Sequence, residues 1–377
     1  MQNHHLTRES ERSMTSQSRL VPRPGIDQIR AYIPGQTVET GGRSIKLSAN
    51  ESALGPSPMA IEAYKNAAER MFRYPDVDAF VIRAAIAKTY KLNPARILMG
   101  IGSDELLSAL VRAYAGTGDE VLYPTATFPM YRIYTLATGA SVVQAPDKNY
   151  GADVDALLSK VTAKTKVVLI ANPNNPTGTY TTRQELERLR AGLRDDILLI
   201  IDAAYAEYVE RDDYEAGAAL VDATMNTVMT RTFSKIHGMA GLRLGWCYAC
   251  EDIIGVVGRI RSPFNVSTPA QEAGIAALED TDFQKRVIEH TRRWRDILTQ
   301  RVKGYGLSVT GSEGNFVNVG FPDGRHKPAD LDVFLKSKGI SIRPMAMFGL
   351  PNHLRITVGR DNEMQALMDA LETFFTS

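Results

Sequence analysis

Cysteine is almost missing from this sequence: 377 residues contain only Cys247 and Cys250. Two cysteines exclude a disulfide framework. They are spaced C-x-x-C, but a structural zinc site needs two more ligands nearby and none stands there, so no metal is expected. A redox pair and a buried strand through Cys247-Tyr248-Ala249-Cys250 are the readings left. An excess of one charge is lacking too. Lys and Arg number 44, Asp and Glu 43, for a net charge of +1, which argues against a nucleic-acid partner. There is no run of 18 apolar residues, so no membrane partner is expected. The first 20 residues have no apolar segment of the kind a signal peptide needs. Residues 1–22 therefore read as a disordered leader, with the start open between Met1 and Met14, and the cytoplasm is the expected compartment.

What is present is the composition of an ordinary globular protein, 44% hydrophobic and 23% charged. The length calls for two domains, or a large α/β domain with a smaller attachment. From Arg96 onward, seven β-rich runs alternate with helical patterns. They are Ile97-Leu98-Met99, Glu120 to Tyr123, Ser141-Val142-Val143, Lys166 to Ile170, Ile197 to Ile201, Thr227 to Thr230 and Leu244 to Tyr248. Several are continuously apolar, as strands covered on both faces are. Between them, Leu106, Leu107, Leu110, Val111 and Tyr114 share one helical face, and Asp153 and Thr182 stand where N-caps belong. This alternation predicts a seven-stranded, mostly parallel sheet layered by helices. After about Ser262 the texture changes to one long helical stretch, 269–303, then short strand candidates, one of them Ser341-Ile342-Arg343, and a closing helix over 362–375. The expected division is an N-terminal arm over 23–56 that joins the small domain, a large domain over 57–262, and a small α+β domain over 263–377.

Ligands of open parallel sheets bind beyond the carboxyl ends of the strands. Four loops there stand out. Gly100-Ile101-Gly102-Ser103-Asp104-Glu105 opens a helix, so close backbone approach and free N–H groups favour an anion. Glu105 occupies the place of the third glycine of a dinucleotide fingerprint, which disfavours a nicotinamide dehydrogenase. Asn172-Pro173-Asn174-Asn175-Pro176-Thr177-Gly178 is stiffened by two prolines. Asp202-Ala203-Ala204-Tyr205 puts a carboxylate at the end of a buried strand, where it needs a partner. Thr232-Phe233-Ser234-Lys235 puts a lysine beyond another, which suits Schiff-base chemistry. Taken singly, each is equally a turn, a helix cap or a solvated loop.

Together, in this order and spacing, they resemble the pyridoxal-phosphate-dependent aminotransferases of the aspartate-aminotransferase fold. Asn-Pro-Thr-Gly is followed by Asp-x-x-Tyr, then Ser-Lys, then Arg243. More narrowly the chain is similar to the histidinol-phosphate aminotransferases, through Tyr32-Ile33-Pro34-Gly35, Leu47-Ser48-Ala49-Asn50-Glu51, Arg73-Tyr74-Pro75-Asp76, Gly102-Ser103-Asp104-Glu105 and Leu354 to Gly359. The resemblance implies that Lys235 forms the Schiff base and then acts as the base for proton transfer. Asp202 would pair with the ring nitrogen, and Asn175 and Tyr205 would hydrogen-bond the phenolic oxygen. Phe128 would stack on the ring. Ser103, the backbone amide of Asp104, Ser234 and Arg243 would bind the phosphate, and Tyr74 would reach the phosphate of a neighbouring subunit in a homodimer.

Arg343 and Arg355, with Tyr32 and Asn175, would bind substrate. A planar guanidinium serves both a phosphate and a carboxylate, as transfer between L-histidinol phosphate and 2-oxoglutarate by a ping-pong route through pyridoxamine phosphate requires. The alternatives within this resemblance are an aromatic amino-acid aminotransferase and a non-catalytic pyridoxal-phosphate-binding regulator. Residues 1–22 are too short for the DNA-binding segment the latter would carry. The chain departs from the family pattern at Ala203, at Ile236-His237 and at Ser52-Ala53. His237 is open between a substrate contact and a structural role.

Overall fold

The computed structural model describes residues 20–376 apart from Gln36, Arg43, Asp323 and Arg325. The expected leader lies outside the described residues up to position 19, as does the choice between Met1 and Met14. All seven runs form strands of one sheet: β1 Ile97–Gly100, β2 Glu120–Pro124, β3 Ser141–Ala145, β4 Thr165–Ala171, β5 Leu198–Asp202, β6 Thr227–Thr232 and β7 Gly245–Tyr248. Their spatial order is β1-β7-β6-β5-β4-β2-β3. Only β7 runs against the others, pairing antiparallel with both β1 and β6.

The side-chain alternation of a strand sends successive apolar residues to opposite faces. Val167, Leu169, Leu198 and Ile200 pack with Leu106 and Leu110 on one face. Val168, Ile170, Leu199 and Ile201 pack with Leu186 and Leu189 on the other. Each fully buried side chain of this size contributes about 1.5–3 kcal/mol, so β4 and β5 are the axis of the core. Asp153 and Thr182 cap their helices, Val154–Ser159 and Arg183–Gly192, as expected. Both cysteines are buried and free, Cys247 within β7 and Cys250 just past it.

The long helical stretch after Ser262 is two helices, Thr268–Glu279 and Thr281–Gly304. Asp280 breaks the backbone, and its carboxylate caps the second helix at the N–H of Phe283, 3.2 Å away. The first of the two packs on Pro58–Ala67 and Phe80–Tyr90, sharing a core with Leu244 and Trp246 of the large sheet's side. The second covers another sheet, β8 Ser308–Val309, β9 Phe316–Gly320, β10 Arg343–Pro344 and β11 His353–Thr357, ordered β8-β9-β11-β10. The single strand expected at 341–343 is split. Ile340–Ser341 pairs in parallel with Ile45–Lys46, whereas Arg343 lies directly opposite Arg355. Ile45 and Leu47 thus join the second core.

Candidate active site

Asp202 ends β5, the centre of the sheet, and is buried. Tyr131 donates its phenol proton to Asp202 Oδ2 at 2.9 Å, and Thr230 donates to Oδ1 at 3.4 Å. No cation is hydrogen-bonded to this carboxylate among the described residues. Burial pushes its carboxyl up from 3.8 to about 6, against the pull of those two hydroxyls. This is an acid that asks for a cationic partner from outside the chain.

Lys235 follows β6 on a tight loop. Thr232 Oγ1 accepts from the Ser234 N–H at 3.1 Å and shares a bond with Ser234 Oγ at 2.9 Å. Gly238, at φ +68°, closes the loop against Gly55; a Cβ there would lie 2.1 Å from the Gly55 carbonyl oxygen. Lys235 Nζ donates to the Asn50 carbonyl at 3.2 Å and lies 5.6 Å from the centre of the Tyr205 ring. His237 turns away from the cleft into the core and stacks on Phe233 with ring centres 4.7 Å apart. Burial pulls its pKa down to about 4, so it stays neutral near pH 7.

At the start of the helix Ser103–Tyr114, Gly102 has φ +81°, and Glu105 loops back to accept from the Ile101 N–H at 2.8 Å. The position that breaks the dinucleotide fingerprint therefore holds a carboxylate that ties the loop before the helix back to its first turn. Arg243, itself at φ +51°, donates to Asp104 Oδ2 at 3.2 Å and to Ser234 Oγ at 3.4 Å. A Cβ at Gly102 would come within 2.4 Å of Arg243 Nη2. Glycine is what lets the guanidinium close over the helix end.

The asparagine–proline loop is stiff because Asn172 and Asn174 are consumed internally. Asn172 bonds Thr181 in both directions, and Asn174 bonds Ala126 and Thr127. Asn175 instead accepts from Arg355 Nη1. Arg355 is buried between Phe316 and Phe348, donates to the Ser48 carbonyl at 3.0 Å, and has Nε without a partner among the described residues. Burial lowers its pKa to about 10.

Eleven of the thirteen residues singled out by sequence line one cleft of about 800 Å³: Tyr32, Ser103, Asp104, Phe128, Asn175, Asp202, Tyr205, Ser234, Lys235, Arg243 and Arg355. Arg343 stands behind, donating to the Ile33 carbonyl at 2.6 Å with its guanidinium 5.9 Å from the Tyr32 ring. Tyr74 is outside, 82% exposed and stacked on Phe264. Three residues were given no role by sequence. Asn50 donates to the Tyr205 hydroxyl at 2.8 Å and exchanges bonds with Thr357: its N–H donates to the threonine hydroxyl, which donates back to Asn50 Oδ1, each at 3.0 Å. Its carbonyl receives Asn315 as well as Lys235. Tyr131 and Tyr134 hold Asp202 and Asp104, the latter at 2.8 Å. Asn50 sits in a segment that already carried the family resemblance; nothing local marks the two tyrosines.

The residue set fits pyridoxal phosphate. A helix start with hydroxyls and a guanidinium makes an anion cradle, a buried carboxylate lacks its cation, and a lysine lies in the same cleft. A sequence model of the aminotransferase class I and II family matches residues 43–371. The chain is 48% identical over 360 residues to histidinol-phosphate aminotransferase of Rhodopseudomonas palustris (strain TIE-1), covering 95% of this chain and 99% of that protein. It is 50% identical over 355 residues to histidinol-phosphate aminotransferase of Paramagnetospirillum magneticum (strain ATCC 700264 / AMB-1), covering 94% and 98%. The crystal structure of histidinol-phosphate aminotransferase from Sinorhizobium meliloti in complex with pyridoxal-5'-phosphate superimposes with a TM-score of 0.87 at 28% identity, covering 97% and 99%.

Proposed function

Because this chain belongs to the class I and II aminotransferases, we infer that it moves an amino group between L-histidinol phosphate and 2-oxoglutarate, a step of histidine biosynthesis, with pyridoxal phosphate as cofactor. The observation that carries the reading is the joining, in one cleft, of Lys235, the cation-seeking Asp202, the Ser103–Arg243 cradle and the buried Arg355. Bound pyridoxal phosphate supplies an aldehyde and an electron-withdrawing ring.

The chain's own groups then have these proposed tasks. Lys235 Nζ bonds the cofactor and, once released, carries the proton between carbon atoms. Asp202 neutralises the ring-nitrogen cation that its burial calls for, and Phe128 supports the ring. Asn175 and Tyr205 hold the phenolic oxygen. Ser103, the Asp104 amide, Ser234 and Arg243 take the phosphate, where a helix dipole and a guanidinium add. Arg355 binds the anion of either substrate, Asn175 already being its hydrogen-bond partner, with Arg343 and Tyr32 as its support.

A homodimer completes the proposal. Met71, Phe72, Tyr74, Phe80 and Val81 are exposed together around the Arg-Tyr-Pro segment, an apolar surface suited to a second copy. Tyr74 would there reach the neighbouring cofactor phosphate. The proposed division keeps residues 23–56 as an arm that joins the small unit through Ile45 and Leu47, but groups helix Thr268–Glu279 with the large one, whose core it shares. The proposed compartment is the cytoplasm, where phosphorylated metabolites are retained.

Turnover of histidinol phosphate and of phenylalanine, each with 2-oxoglutarate, tests the substrate. A preference for phenylalanine would refute the assignment.

A further inference from the structure

Helix Met130–Thr138 enters none of the proposed steps, yet it touches two acidic groups of the cleft, Asp202 and Asp104. Tyr131 and Tyr134 are three residues apart, which puts them on one face. The first donates to Asp202 Oδ2 at 2.9 Å. The second donates to Asp104 Oδ1 at 2.8 Å, and the other oxygen of Asp104 accepts from Arg243 at 3.2 Å. Both tyrosines are buried, and the Tyr131 ring is wedged edge-on between Tyr123 and Phe128, 5.9 and 5.7 Å centre to centre. Burial and then the adjoining carboxylates push both phenols upward in pKa, so they remain donors. The negative charge of Asp104 raises the Asp202 pKa further.

We propose that helix Met130–Thr138 is a two-pronged positioning element, in which Tyr131 fixes and tunes the Asp202 carboxylate while Tyr134, through Asp104, aims the Arg243 guanidinium. This rests on the reading of the cleft as a pyridoxal-phosphate site. Without Tyr134, Asp104 can swing from Arg243 and the anion cradle loses its orientation. Without Tyr131, the charge on Asp202 is less dispersed and draws the ring-nitrogen proton towards itself.

The test takes the full chain with Tyr131→Phe, Tyr134→Phe or both, strips the cofactor, and titrates with pyridoxal phosphate, using inorganic phosphate as competitor. Phenylalanine keeps the ring, so packing is preserved. Tyr134→Phe should weaken both pyridoxal phosphate and inorganic phosphate about five- to tenfold, as loss of a bond to a charged group does, and leave the pH midpoint of the visible absorbance unmoved. In an Asp104→Asn background the same change should cost less than about twofold. Tyr131→Phe should leave inorganic phosphate binding unaltered and raise that midpoint by about half a unit. Equal effects of both variants on both readouts, no effect on either, or a melting temperature more than about 5 °C lower would each overturn the proposal. A wild-type protein that takes up no pyridoxal phosphate defeats the cofactor reading and this inference with it. A normal wild type with indifferent variants defeats the inference alone.

Discussion

Replacing Asp202 by Asn should stabilise the cofactor-free protein while damaging the cofactor-loaded one. The carboxyl rises from 3.8 to about 6 on folding because burial penalises its charge. At about 1.36 kcal/mol per unit that is about 3 kcal/mol held against the empty fold. Between roughly pH 4 and 6 the native state keeps a proton that the unfolded chain has released. Stability therefore falls as pH rises across that window and stays lower above it. Asn carries no charge to bury, so the cofactor-free variant should match the wild type near pH 4 and exceed it at pH 8. For a chain of this size, 3 kcal/mol is on the order of 5 °C in melting temperature. Saturating pyridoxal phosphate should reverse the order, since the wild-type carboxylate then has a cation beside it and the amide does not. Thermal melts of both proteins at pH 4 to 8, with and without cofactor, supply the four curves. An Asn variant that melts lower than the wild type at pH 8 without cofactor, or by the same margin at every pH, would refute the reasoning.

Borohydride reduction of the loaded protein should fix the cofactor to Lys235 alone, and Lys235→Ala should lose nearly all turnover; peptide mapping that finds another labelled lysine sinks the assignment. Arg355→Ala should cost on the order of 2–4 kcal/mol in kcat/KM in each half-reaction, and a loss confined to the glutamate half would contradict a shared anion site. Tyr74→Ala and Lys235→Ala homodimers, mixed and allowed to exchange, should regain roughly a quarter of full activity if Tyr74 works across a two-fold interface. No recovery despite demonstrated exchange would rule out that arrangement.

Much of this was legible because buried parallel strands leave continuous apolar runs. Val167 to Ile170 and Leu198 to Ile201 announced the centre of the sheet, and the residue after the second run, Asp202, is the site's central acid. The loops held their spacing because each follows a strand whose end is pinned by its neighbours. Phe80–Tyr90 gave a weak boundary signal: left-handed Ala79 and Lys91 flank it in place of a polar residue and a glycine, and its cap is the more distant Asp76, which accepts from the Phe80 N–H at 2.8 Å. Pro58–Ala67 carries a clear one, Ser57 before Pro58, but it stands ahead of the strand–helix alternation that begins at Arg96. The split at Asp280 was likewise visible as a capping residue inside a helical pattern. Tyr131 is a different case. Its partner is 71 residues away, and a tyrosine on an amphipathic face reads as core until the fold brings an acid to its hydroxyl.

Asn50 has an implication for how such an enzyme changes its substrate. Its left-handed backbone, at φ +54°, is one that asparagine tolerates better than most side chains. Through it β11, by Thr357, and Lys235, by the shared carbonyl, hang from the same residue. Remodelling the surroundings of Arg355 by repacking β11 would therefore shift the lysine's anchor as well, unless Thr357 kept its grip on Asn50. Variation that widens substrate range at low cost should collect in side chains that line the cleft without touching this joint, such as Tyr32 and Phe348. Drift at Thr357 or Asn50 should instead carry a penalty for every substrate alike.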